Sequence, residues 1–109
     1  MRIRKVLYYR TINGCVPFRE WLSSLNDTKT QARLLERIRR IGFNYFGDFK
    51  PIGGGLFELR FHFGPGYRVY FGQDGDIFII LLCGGNKSSQ GSDILKAFEY
   101  WLDYKRRKS

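Results

Sequence analysis

Between the dipeptides Asp74-Gly75 and Gly84-Gly85, every residue from Ile77 to Cys83 is apolar. The run is far shorter than the roughly 18–20 residues a membrane span needs, and turn signals at both ends mark it as a strand. A strand with no polar position has to be covered on both faces, which places it inside a sheet rather than at its rim. The preceding residues narrow the topology. From Leu56 to Phe63, the apolar Phe57, Leu59, Phe61 and Phe63 alternate with Glu58, Arg60 and His62, as on a half-buried strand. Gly64-Pro65-Gly66 then makes a tight connection into a return strand, Tyr67 to Gly72, and Asp74-Gly75 is a strong hairpin signal. Three strands follow one another with no room for a crossover, so they pair antiparallel.

Helical signals flank this meander. Ile3 to Tyr9 is β-prone, Asn13-Gly14 breaks it, and Pro17 opens a short helix whose stripe is Phe18, Trp21, Leu22 and Leu25. Thr28 with Gln31 reads as a capping box for a second helix, extending to about Tyr45, with Leu34, Leu35, Ile38 and Ile41 on its core side. Lys29, Arg33, Arg37 and Arg40 form a second stripe on that helix, either a solvated face or a cationic docking surface. Gly47 to Gly55 reads as a loop without a phosphate-binding pattern. Ser88 or Ser89 caps a last helix with Ile94, Ala97, Phe98, Trp101 and Leu102 on one face, ending in Lys105, Arg106, Arg107 and Lys108. The order β-α-α-β-β-β-α defines an α+β fold, and 109 residues suit a single domain spanning 1–109.

The 19 Lys and Arg against 10 Asp and Glu leave a net charge of +9, which predicts an anionic partner. Nineteen aromatic residues (10 Phe, 7 Tyr, 2 Trp) argue against disorder despite that charge. No apolar segment follows the basic start Met1 to Lys5, so neither a secretory signal nor a membrane anchor is expected. Cys15 and Cys83 lie far apart with no metal-ligand spacing around them. A reduced, cytoplasmic protein with no metal and no cofactor is the expectation.

Strand pairing indicates where chemistry would gather. A three-residue connection at Gly64 to Gly66 sets His62 opposite Arg68 and Arg60 opposite Tyr70, with Lys87 just past the end of the following strand. Arg60, His62, Arg68, Tyr70 and Lys87 then share one sheet face, with Glu58 the only carboxylate nearby. Such a face attracts phosphate, since arginine offers a planar fork and lysine a point charge. The bland alternative is a wet sheet surface, and for His62 alone that alternative is the stronger one.

The stretch Gly66-Tyr67-Arg68-Val69-Tyr70-Phe71, the all-apolar strand, and then Gly84-Gly85-Asn86-Lys87-Ser88-Ser89-Gln90 with Asp93-Ile94 resemble toxins of the RelE/ParE superfamily, within it the HigB-like "addiction module killer protein" group. The likeness extends to the Phe-x-x-Trp-Leu helix and to Tyr100-Trp101. It implies a RelE-like domain with a curved, mainly antiparallel sheet and helices packed on one face. It also implies the toxin half of a type II toxin–antitoxin pair. RelE-like and HigB-like members cut mRNA in the ribosomal A site without a metal, whereas ParE-like members poison DNA gyrase. Matched to the family motifs, Arg68 holds the scissile phosphate, Lys87 is the basic residue after the last strand, and Arg60 is the basic residue on the preceding strand. Gln90-Gly91-Ser92 stands where RelE has an acid/base tyrosine, and Asn86 stands where the killer group usually has aspartate.

These features together predict a ribosome-dependent mRNA endoribonuclease. Arg68, Arg60 and Lys87 stabilise phosphoryl charge, and His62, Tyr67 or Tyr70 moves protons. The helix stripe and the basic tail are expected to dock on RNA. The partners implied are the ribosome, mRNA and a helix-turn-helix, HigA-like antitoxin. The alternatives are a ParE-like gyrase inhibitor without nuclease activity and an inactive nucleic-acid-binding relative. If His62 sits opposite Arg68, neighbouring cations hold it neutral and suit it to be a general base.

Overall fold

The apolar run forms the strand around which the rest is layered. The computed structural model describes residues 3–108. In chain order the elements are β1 (Lys5–Tyr8), α1 (Pro17–Ser24), α2 (Thr28–Ile41), β2 (Phe49–Gly53), β3 (Leu56–Arg60), β4 (Tyr67–Asp74), β5 (Phe78–Asn86) and α3 (Gln90–Lys108). They build one sheet in the order β1-β5-β4-β3-β2, antiparallel throughout except for the parallel pair β1 and β5. No helix among the described residues is long and apolar enough to cross a membrane.

The α+β class and the order of elements agree with the sequence. The placement of the helices on one face does not. Ile79 and Leu81 of β5 pack with Phe18 of α1 and with Leu34, Ile38 and Ile41 of α2. Ile80 and Leu82, pointing the other way, pack with Ala97 and Trp101 of α3. A strand apolar at every position needs cover on both sides, and the stripe of α3 supplies the second layer.

The stretch expected to be a loop, 47–55, contains the edge strand β2, paired antiparallel to β3 with an irregularity between Pro51 and Gly53. Proline fits there because an edge strand has one side with no ladder to complete. The two edges of the sheet are unlike. β2 carries Pro51, Lys50 and the irregularity, all features that discourage further pairing, whereas β1 leaves Leu7 and Tyr8 partly exposed beside its open side.

Local signals explain two smaller shifts. The cap of α2 is Asp27 rather than Thr28. Its carboxylate accepts from the Lys29 N–H at 3.1 Å and from the Thr30 hydroxyl at 2.7 Å, while the Gln31 amide donates to the Leu25 carbonyl. The helix ends at Ile41 rather than near Tyr45, because Gly42 closes it and Asn44 turns left-handed at φ 69°.

The β3–β4 register is offset by two from the sequence expectation. Arg60 lies opposite Arg68, Leu59 opposite Val69, and Glu58 opposite Tyr70. The Phe61 N–H still bonds to the Tyr67 carbonyl, so the turn spans residues 62–66 instead of three. Gly64 and Gly66 take φ values of 57° and 77°, conformations that only glycine adopts at little cost, and Pro65 between them cannot extend the ladder. An offset of two preserves which residues share a face.

Trp101 fixes α3 onto the sheet. Its indole N–H donates to the Gly54 carbonyl at 2.8 Å and its ring stacks on Tyr104 at 5.4 Å. A Cβ at Gly72 would come within 2.3 Å of that ring. Gly72→Ala is therefore expected to cost about 1–3 kcal/mol by overpacking, lowering the melting midpoint by several degrees. Gly91→Ala, where an added Cβ meets nothing within 4 Å, should leave the midpoint unchanged or slightly raised. Parallel thermal melts check both.

Candidate functional site

Four elements converge at one end of the sheet: the end of β3, the start of β4, the end of β5 and the start of α3. Arg60 and Arg68 face one another across the β3–β4 ladder, and Arg68 also lies opposite Gly85 of β5. Tyr67 pairs with Asn86, so Lys87 follows directly beyond the last rung. Lys87 opens a single 3₁₀ turn, Lys87–Ser89, that runs into α3. The cap of this turn is Asn86 rather than a serine. Its side chain accepts from the N–H groups of Ser88 at 2.9 Å and Ser89 at 3.3 Å, and the Ser89 hydroxyl takes the Asn86 N–H at 3.2 Å. The box keeps Lys87 exposed at the mouth of the site.

Beneath the cations sits Glu58, with no exposed surface. Its carboxylate accepts from Arg60 Nε at 2.9 Å, from the Tyr70 hydroxyl at 3.2 Å and from the Gln90 amide at 2.6 Å, and Arg68 Nε stands 3.9 Å away. Burial works to raise its pKa. The bonds from Gln90, Arg60 and Tyr70, with the charge of Arg60, outweigh that and hold it below its ordinary 4.5. One anion against two guanidinium groups and a lysine leaves the cluster positive. Arg68 is not the wet-face residue the alternation suggested. Its side chain is 11% exposed, and its buried Nε has no hydrogen-bond partner among the described residues.

The other sequence candidates disperse. Tyr70 shares the face but is fully buried, and burial beside Glu58 pushes its hydroxyl pKa far up, so it holds its proton near neutral pH. Tyr67 points to the opposite face, where it packs edge-on against Trp21 at 6.1 Å and Phe63 at 5.5 Å. His62 lies beyond the last β3–β4 rung, exposed, with Nε2 bonded to the Asp48 carboxylate. The offset register puts Arg60 where His62 was expected, so His62 does not lie opposite Arg68.

The α2 stripe lies on the side of the sheet away from Glu58. Arg37 donates to the carbonyls of Arg60, Phe46 and Asp48, Arg33 lies over Phe63, Arg40 is 3.6 Å from Glu36, and Lys29 is exposed in the first turn. The basic tail is at the far end of α3, about 27 Å from Gln90 at 1.5 Å per residue. Lys108 pairs there with Asp74 at 2.7 Å, Arg107 with Asp103 at 2.9 Å, and Lys105 covers Trp101, while Arg106 is exposed. The fold thus brings together Arg60, Arg68 and Lys87, and separates them from Lys105, Arg106, Arg107 and Lys108. Glu58 at the centre was legible as the carboxylate two places before Arg60 on the same face. Gln90, Asn86 and Asp48 carried no sequence signal for their partners. Among the described residues no three His, Cys, Asp or Glu side chains cluster as a metal requires.

Because its pKa falls below 4.5 on folding, Glu58 contributes stability that is fully present above that pH and is lost as pH drops through the folded value. Glu58→Gln should cost about 3 kcal/mol near neutrality by leaving Arg60 uncompensated, and its deficit against wild type should shrink progressively below about pH 4.5. Urea unfolding at a series of pH values measures both.

No known protein-family profile matches the chain. An uncharacterized protein of Haemophilus influenzae is 44% identical over 86 residues, covering 79% of this chain and 87% of its own length. Identity at that level over most of both sequences places the two in one family, and the chain belongs to it.

Proposed function

We propose that this protein is the toxin half of a type II toxin–antitoxin pair and acts in the cytoplasm as a metal-independent, ribosome-dependent mRNA endoribonuclease. The observation that carries this reading is the juxtaposition of Arg60, Arg68 and Lys87 at one sheet end, where the residues of the RelE/ParE-like motifs meet. In the proposed reaction the 2′-hydroxyl beside the scissile bond gives its proton to water as its oxygen attacks phosphorus. The bond to the 5′-oxygen breaks, and that oxygen takes a proton from water, leaving a 2′,3′-cyclic phosphate and a 5′-hydroxyl. Charge grows on the non-bridging oxygens, and the contribution of the chain is to hold it with two guanidinium groups and an ammonium. Glu58 keeps Arg60 fixed before substrate arrives, so little reorganisation accompanies the step. The partners of this reading are the translating ribosome, its mRNA and a helix-turn-helix antitoxin whose acidic segment answers the net charge of +9.

One observation favours a second reading. Tyr70 is locked under Glu58 and His62 is held by Asp48, so neither of these proton-transfer candidates is free beside the cation cluster. That arrangement suits a binding protein without chemistry, such as a ParE-like gyrase inhibitor.

Mapping transcript 5′ ends after induction, with and without translating ribosomes, separates the two. The nuclease reading expects new ends within codons only when ribosomes translate, and a DNA-damage response without new ends overturns it. Arg68→Lys retains charge beside Glu58 but loses the planar fork, and should lower cleavage by roughly 10²–10³. Lys87→Ala, at an exposed position, should lower it by less. Unchanged cleavage in folded Arg68→Lys would remove Arg68 from the reaction.

A further inference from the structure

Between α2 and the β3–β4 connection lies a groove of about 390 Å³, within the range of small-ligand sites. Arg33, Arg37 and Arg40 line it from the helix, and Phe61, His62 and Phe63 line it from the connection. The three arginines differ in what holds them. Arg37 is committed to three main-chain carbonyls and lies 4.6 Å over Phe61. Arg40 is drawn to Glu36 at 3.6 Å. Arg33 lies 3.8 Å over the ring of Phe63, is exposed, and makes no hydrogen bond or ion pair among the described residues.

A guanidinium whose central carbon sits over a phenyl ring, with no polar partner, keeps N–H groups available for another ligand. The guanidinium plane suits a second π-system, and the N–H groups suit a phosphate or a base carbonyl. An acidic peptide fits less well, because Glu36 lines the same groove and Asp48 sits against His62. A nucleobase presents a neutral face and avoids that repulsion. The groove opens on the α2 side of the sheet, across from Glu58, and reaches the cation cluster around the end of β3. His62 is two residues beyond Arg60, about 7 Å of extended chain, and Arg37 bonds the Arg60 carbonyl directly.

We propose that this groove seats one base of a single-stranded nucleic acid, stacked on the Arg33–Phe63 pair, around the end of β3 from the phosphate held by Arg60 and Arg68. The inference deepens the nuclease reading and rests on it for the identity of the strand as RNA. It makes α2 a determinant of which nucleotide flanks the cut, rather than only a charged docking face.

Fluorescence anisotropy of short single-stranded RNA homopolymers, titrated with the whole chain across a salt series, tests it. Arg33→Lys keeps the net charge and removes the plane. Its affinity for purine homopolymers should fall about tenfold, within the range of one lost base stack, while the slope of log affinity against log salt stays the same. The preference for purine over pyrimidine should narrow with it. Phe63→Leu should reproduce the loss, with the melting midpoint reporting that the fold is kept. The proposal is overturned if Arg33→Lys binds every homopolymer as wild type does, if the loss is equal for all bases, if polyglutamate competes as well as RNA, or if wild type binds none of them. Cleavage assays on programmed ribosomes keep the two readings apart. Arg33-dependent purine binding without any cleavage removes the nuclease and leaves the groove, and cleavage with Arg33-independent binding removes the groove alone.

Discussion

The burial of β5 on both faces is the constraint from which the rest of the architecture follows. Ile79 and Leu81 require one layer and Ile80 and Leu82 another, so the chain must send helices to both sides of the sheet. The N-terminal helices take one side, and α3, starting immediately after β5, takes the other. The consequence for chemistry is positional. Because α3 departs from the end of β5, its first residues come to rest beside the end of β3 and the start of β4, bringing Gln90 to Glu58. The site is built at a junction that the core makes unavoidable.

Glu58 gives that junction its character. A carboxylate with no exposed surface is costly unless it is paired and hydrogen-bonded, and here three donors and a nearby second arginine meet that demand. Two guanidinium groups so close would repel one another in its absence. With it they are held together and still carry an excess of positive charge. A buried anion is thus what allows a compact cationic site to exist at a strand end, and the same anion makes Arg60 and Tyr70 rigid.

How far the sequence foretold this depended on the range of the interaction. Periodicity found the strands, the helices and the face shared by Glu58, Arg60, Arg68 and Tyr70, because side-chain direction follows from local backbone geometry. It did not find β2, since the glycines and Pro51 at 47–55 read as breakers until pairing with β3 accommodates them. Nor did it set the register, because Gly64-Pro65-Gly66 does not reveal how many neighbours it draws into the turn. The offset set Arg60 opposite Arg68 and left His62 beyond the last rung, in the turn. The remaining site features join residues distant in sequence: Gln90 with Glu58, Arg37 with the Arg60 carbonyl, and His62 with Asp48. Nothing local encodes such contacts.

The asymmetry between the sheet edges has a colloidal consequence. β2 is guarded by Pro51 and an irregularity, but β1 exposes an open ladder flanked by Leu7 and Tyr8. Two copies meeting along β1 would extend their sheets into each other, and what opposes the approach is the repulsion between chains of charge +9. That barrier acts through solvent and shortens to about 3 Å in molar salt. What keeps two copies apart at that edge is therefore charge rather than shape, and whatever neutralises the charge also uncovers the edge.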